Sequence, residues 1–312
     1  MYFPFLRGKQ YELIALRDLS DLLSTNRNKV SPIIEPVKES FTTLRSTLEA
    51  LRNGNVNFNV IVNPVFGDLV GRTDEVLKFV KETLEGYKNF QIGYYLSKDR
   101  DVRESIQSAI NITFDYSGIS FIHAFQITNF KELQDYKPKN KVLYHIVDFK
   151  KTSRRYHRNL TGKIVSLEDH FVIQDRNSNY LSNPDEFFSE EHLYYLKDGF
   201  KGFSDYLMIG DSFSESGFLP YAVVIHLTYP DSDKKLRIHH FVSNSNDDTT
   251  DVAGKFGEAL QKLIGWLGTN IITSQAIEEF KDLHKNGHFP GLGYIKKLSL
   301  KHHIELVTSL LQ

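Results

Sequence analysis

Residues 30–63, VSPIIEPVKESFTTLRSTLEALRNGNVNFNVIVN, hold one complete strand–helix–strand cycle. Val30 to Glu35 is a short apolar run closed by Glu35 and Pro36. Phe41 to Arg52 carries Leu44, Leu48 and Leu51 on one face, which is helical spacing. Phe58 to Asn63 then repeats the strand. The strand segments are apolar on successive positions instead of alternating, as expected where helices cover both faces of a parallel sheet.

The same cycle extends in both directions. Tyr2 to Leu6 reads as a strand before the helical stretch Tyr11 to Leu23. After residue 63 come the helix Asp74 to Leu84, the strand Phe90 to Tyr95, the helix Arg103 to Ile112 and the strand Ile119 to Phe125. They are followed by a helical turn at Phe130 to Leu133, strands Val142 to Val147 and Ile164 to Leu167, a helix Pro184 to Leu196 and a strand Asp205 to Ile209. About eight cycles in roughly 250 residues is the count of a closed (β/α)8 TIM-like barrel. An open doubly wound sheet is the rival, but no Gly-x-Gly-x-x-Gly turn follows the first strand.

Beyond Ile209 the period changes. Tyr221 to Tyr229 and Leu236 to Val242 flank PDSDKK and predict a β-hairpin inserted before the last barrel helix, Ala253 to Leu267. Helices over Ser274 to Lys285 and Ser299 to Leu311 form a C-terminal extension. The reading is one domain over residues 1–312, with the hairpin at about 220–243 and the helical tail at about 273–312.

Composition narrows the functions. The 312 residues include no Cys, which removes disulfides, thiolate metal sites and Cys nucleophiles. With 38 Lys and Arg against 39 Asp and Glu, no global charge draws the chain to nucleic acid or an anionic membrane. Neither a signal peptide nor a membrane span is visible, so a cytoplasmic protein is expected.

In a barrel the chemistry lies where the strands end at their carboxyl side. Glu35, held extended by Pro36, is the first candidate acid or base; its alternative role is an ion pair with Arg7 or Lys38. Asp148 faces it if strands two and six are opposed, and Glu168 beside Asp169 is a third carboxylate. Arg7, Lys9 and Lys38 would bind an anion, with Asn63 and His145 at neighbouring strand ends and His226 and His240 on the hairpin. No cofactor is expected; Mg²⁺ held by the carboxylates is the alternative, although no pair of ligands at fixed spacing is present. The adjacent pairs His239-His240 and His302-His303 cannot each chelate one metal, and no zinc motif survives. The one basic run is Lys150, Lys151, Arg154, Arg155, His157 and Arg158, near Lys137, Lys139 and Lys141.

The opening Tyr2-Phe-Pro-Phe-Leu-Arg7-Gly-Lys9-Gln-Tyr-Glu12, with Pro32-Ile-Ile-Glu35-Pro36, resembles the Beta-protein family of bacteria and phages. Ser204-Asp205-Tyr206 to Gly210-Asp211, Ala222 to Tyr229, and His240 to Asp248 with Ala253-Gly254-Lys255-Phe256 are similar to one branch of it, often encoded beside a nuclease-like protein. The resemblance implies a barrel and a link to phage defence, and it brings no established reaction. Three functions follow as expectations: an enzyme acting on a phosphorylated or other anionic substrate at the barrel mouth, a non-catalytic defence subunit docking a nuclease-like partner, or a nucleic-acid binder using the basic run.

Overall fold

The computed structural model describes residues 1–136, 142–153, 155–214 and 219–311, with the side chains of 142 and 143 excepted. They fall into two compact units, Met1–Asp169 with Tyr194–Tyr206, and His170–Leu193 with Leu207–Gln312.

The first unit is a closed barrel. Its strands are β1 (Tyr2–Leu6), β2 (Ile33–Ile34), β3 (Phe58–Ile61), β4 (Phe90–Leu96), β5 (Gly118–His123), β6 (Val142–Asp148), β7 (Lys163–Glu168) and β9 (Gly202–Asp205). They close in that order, each parallel to the next, with β9 returning to β1. Every residue of β1, β3, β4 and β5 is buried, as the unbroken apolar runs require. Helices α1 (Gln10–Asp18), α2 (Ser20–Thr25), α3 (Thr42–Asn53), α4 (Thr73–Thr83), α5 (Arg100–Ile110) and α6 (Phe130–Asp135) fall within the first five crossovers. The helix expected over Tyr11 to Leu23 is two helices that meet at Leu19.

Strand alternation sorts the barrel's side chains into a lumen and an outer layer. Phe5 packs on Tyr95 and Tyr206, and Phe3 on Tyr144, so these rings face inward. The lumen also holds a polar layer. Asn59 Nδ2 donates to Ser31 Oγ at 3.2 Å, and the Ser120 hydroxyl lies against Asn59 Oδ1 and Gln91 Oε1. These buried polar groups thus pair with one another.

The last two crossovers depart from the helical expectation. Between β6 and β7 the described chain makes only a 3₁₀ turn, Tyr156–Asn159. The helix expected over Pro184 to Leu196 is instead strand β8 (Asp185–Ser189) followed by the single turn α7 (Glu191–Tyr194). Phe187 and Phe188 have the pleated spacing to pair with a strand, and β8 bonds antiparallel to the hairpin strand β11 (Leu236–Val242). The eighth barrel strand also ends at Asp205, four residues before the predicted Ile209.

In the second unit, β10 (Val224–Pro230), β11 and β8 form a three-stranded antiparallel sheet in that order. Helix α8 (Val252–Leu267) packs its Phe256, Leu260 and Leu263 into one apolar cluster with Ile225, Leu227 and Phe241 of this sheet. Phe280 of α9 (Gln275–Lys285) and Ile295 and Leu298 of α10 (Leu292–Leu310) complete it. The helix expected to finish the barrel therefore covers the second sheet. The Asp251 carboxylate caps α8, accepting from Gly254 N at 2.9 Å, and Ser274 Oγ caps α9 by accepting from Ile277 N. No described helix is long and apolar enough to cross a membrane.

Candidate functional site

The carboxyl ends of β1 and β2 bring Arg7 and Glu35 together. Arg7 Nη1 donates to Glu35 Oε2 at 2.7 Å, and the two side chains are 2% and 0% exposed. The other carboxylate oxygen, Oε1, accepts from Val65 N at 2.9 Å. The Glu12 carboxylate on α1 accepts from Arg7 N at 2.7 Å, fixing the backbone that carries the guanidinium. Aromatic rings surround this cation: Phe66 at 4.4 Å, Tyr206 at 5.2 Å and Phe5 at 5.5 Å from the guanidinium carbon. Burial pulls the Arg7 pKa down, but Glu35 with the two neighbouring tyrosines outweighs it and holds the group above its ordinary value.

Glycine permits the close approach. Gly8 has φ +62°, and a Cβ there would lie 2.7 Å from the Glu35 carbonyl oxygen. Across the rim, Gly67 has φ +75°, and its Cβ would lie 2.0 Å from the Val37 carbonyl oxygen. Asp68 N donates to that carbonyl at 2.9 Å, and Asp68 Oδ2 accepts from Glu39 N. The loop after β3 is thus stitched to the loop after β2, with Glu35 as one of the stitches. Gly67→Ala is expected to cost more than Gly71→Ala, since Gly71 shares the left-handed backbone at φ +78° but faces open space. Backbone strain alone costs about 1–3 kcal/mol at either site. Equal urea midpoints for the two variants would mean that the loop is not locked against Val37.

Asp148 enters from β6 on the lumen side and is 2% exposed. Its Oδ1 accepts from Lys150 N at 3.0 Å and Lys151 N at 3.2 Å, and Lys151 Nζ lies 3.2 Å from Oδ2. Two tyrosines connect it to the Arg7 pair. Burial, then Tyr95 and Asp148, push the Tyr206 hydroxyl far above its usual range. Tyr95 is also raised by burial, with opposing effects from Lys151 and Glu35. Both phenols are therefore neutral donors at physiological pH. Groups from β1, β2, β4 and β6, and from the residue after β9, meet at one end of the lumen.

The other expected residues are placed elsewhere. Asn63 clips β3 to β4, donating to Tyr95 O at 2.9 Å and accepting from Tyr95 N at 2.8 Å. Lys38 lies on the rim, 3.9 Å from Asp68, and Lys9 is half-buried at the start of α1. Register pairs Glu168 with Asp205, whose carboxylate accepts from Tyr2 OH at 2.8 Å; alternation puts Leu167, not Glu168, beside Asp148. His145 alternates with the inward Tyr144 and Ile146 and so lies in the outer layer. There its Nδ1 is 2.9 Å from His123 Nε2, and His123 Nδ1 is 2.8 Å from Tyr156 OH. Burial lowers the pKa of His145 to about 4, and burial with the neighbouring His145 lowers that of His123 well below its ordinary value.

His226 and His240 pair across the hairpin of the second unit, Nδ1 to Nδ1 at 2.7 Å. In the basic run, Lys150 and Lys151 lie near Asp169 and Asp148, and Tyr156 is buried. Lys137, Lys139, Lys141 and Arg154 lie outside the described residues. Among the described residues, no three His, Asp or Glu side chains are grouped to hold a metal.

Tyr95, Lys151 and Tyr206 belong to the cluster; the sequence reading places Lys151 in the basic run and gives neither tyrosine a role at the mouth. The signal for Tyr95 was present, because it lies two and four residues after the lumen-facing Gly93 and Gln91. Fold and site together define a closed (β/α)8 barrel protein with an ionisable cluster at its carboxyl-end mouth. No family model matches the chain, and no curated protein matches it in sequence.

Proposed function

We propose that the protein is a barrel-class enzyme acting on a phosphorylated or other anionic substrate at the mouth, and that it belongs with the Beta-protein family it resembles. The observation that supports this is the convergence of Arg7, Glu35, Tyr95, Asp148, Lys151 and Tyr206 where barrel enzymes hold their catalytic groups. Both Glu35 oxygens are engaged, so Glu35 positions Arg7 and the loop after β3. Asp148 Oδ2, which among the described residues makes no hydrogen bond and has only the Lys151 ammonium beside it, is the carboxylate oxygen left for proton transfer, with the tyrosine hydroxyls as neutral donors. Arg7 is paired with Glu35 and Lys151 with Asp148, so we place capture of an anion's charge on Lys9 and on Lys38, which exchanges Asp68 for the substrate.

Mass spectrometry of small molecules released from the purified protein tests this reading. A phosphorylated or carboxylated compound should accompany the wild type and be reduced at least tenfold by the combined Lys9→Ala, Lys38→Ala change. Equal retention by both proteins, or none by either, would overturn it.

Exposed apolar side chains in the second unit favour a second reading, a subunit that docks a nuclease-like partner in phage defence. Ile271 is fully exposed, and Leu219, Tyr221, Val172 and Ile173 are each more than half exposed. Co-purification with a nuclease-like protein that is lost in Ile271→Asp would support it over the enzyme.

A further inference from the structure

The second unit holds a cavity of about 300 Å³ that the barrel mouth does not explain. One stripe of α10 forms a wall: Leu292, Ile295, Lys296, Ser299 and Leu300 recur at helical spacing along it. His226 of β10 and Asn177 contribute polar groups from other elements. Such a volume lies at the small end of ligand pockets, and a mostly apolar wall with a few polar groups is their usual composition.

The hydrogen bonds dictate what His226 offers. Glu186 Oε1 lies 3.2 Å from His240 Nε2, so a carboxylate acceptor places the His240 proton on Nε2. That leaves His240 Nδ1 as a lone pair, and His226 Nδ1–H donates to it at 2.7 Å. The remaining ring nitrogen, His226 Nε2, is then an acceptor, and it has no hydrogen-bond partner among the described residues. Phe171 and Tyr180 hold the ring, with centroids 5.0 and 4.9 Å away. Lys296 is exposed and also has no ion-pair partner among the described residues, and neither does the Ser299 hydroxyl have a bond there. An unpaired cation, a fixed acceptor and a free hydroxyl thus border one apolar cavity.

We infer that this cavity binds a small amphipathic acid, its carboxylate or phosphate at Lys296, a hydroxyl or N–H donating to His226 Nε2, and its apolar body against Leu292, Ile295 and Leu300. Lys296 supplies the only charge among the described lining residues, so an anionic head is preferred over a cationic one. Asn177 Nδ2 is spent on the Ala222 carbonyl at 2.8 Å, which holds that side of the wall in place.

Calorimetric titration of the full chain with octanoate, octyl phosphate, 3-hydroxyoctanoate and octylamine tests the site. The acids should bind, octylamine should not, and the tighter of the two unsubstituted acids identifies the head group. Lys296→Glu, at an exposed position, should weaken the acids at least tenfold. The 3-hydroxy compound should bind several-fold tighter than octanoate, and His226→Phe, which keeps a ring in place, should abolish that advantage. Binding of octylamine equal to octanoate, acid affinity unchanged in Lys296→Glu, or no binding of any acid at millimolar concentration would overturn the assignment.

Discussion

Glu35→Ala is expected to destabilise the barrel unit by about 3–5 kcal/mol, enough to unfold a marginally stable domain at moderate temperature. The loss arises because Arg7 keeps its charge in a space that is 2% exposed, lined by Phe5, Phe66 and Tyr206, with its main ionic partner removed. Val65 N loses its acceptor at the same time, releasing the loop after β3. Removing both charges has a different outcome. Arg7→Met with Glu35→Leu fills a similar volume without a desolvated ion, so most of the stability should return. Chemical denaturation of both variants checks this. A double variant no more stable than Glu35→Ala would show that the pair contributes more than mutual neutralisation, and a single variant within about 1 kcal/mol of wild type would refute the account.

The second large effect is acid sensitivity. Burial lowers the pKa of His145, His240 and His302 from 6.5 to about 4 in the folded chain, so all three are neutral at pH 7. Their rings are held as neutral imidazoles in hydrogen bonds, His240 Nε2 donating to the Glu186 carboxylate at 3.2 Å. His302 Nε2 donates to Thr228 O at 2.8 Å and its Nδ1 accepts from Ser274 Oγ, while His240 bonds His226. In the unfolded chain each imidazole takes up a proton near pH 6.5, whereas in the folded chain it resists until about pH 4. The unfolded state binds more protons in that window, so stability is full above about pH 6.5 and falls as the pH drops toward 4. Each histidine accounts for a loss of up to about 3 kcal/mol at the bottom of the window. Melting temperatures measured from pH 7.5 to 4.5 should fall steeply below pH 6.5, and a flat profile would contradict the neutral, buried assignment.

The barrel was legible because it rests on local information. Short Val, Ile and Phe runs at regular intervals can be buried on both faces only by parallel pairing under helices, and the number of cycles sets closure. Asp251 and Ser274 likewise sit at their helix starts, where a short polar side chain reaches a free backbone N–H. Residues 185–189 were misread because DEFFS has apolar spacing that suits either a helix or a strand. Its state is set by a non-local partner, β11, fifty residues away in the chain.

By itself, then, the sequence determined which segments of the barrel through β7 pleat and which coil, and that Arg7, Glu35 and Asp148 stand at strand ends, because periodicity and chain direction are properties of neighbouring residues. Only the tertiary structure decided that Arg7 occupies one Glu35 oxygen and Val65 the other, that His145 lies outside the lumen, and that His226 carries a free acceptor beside Lys296. Those outcomes depend on burial and on which distant group reaches a given atom first. Register, closure and packing fix them together, and no short stretch of chain contains that information.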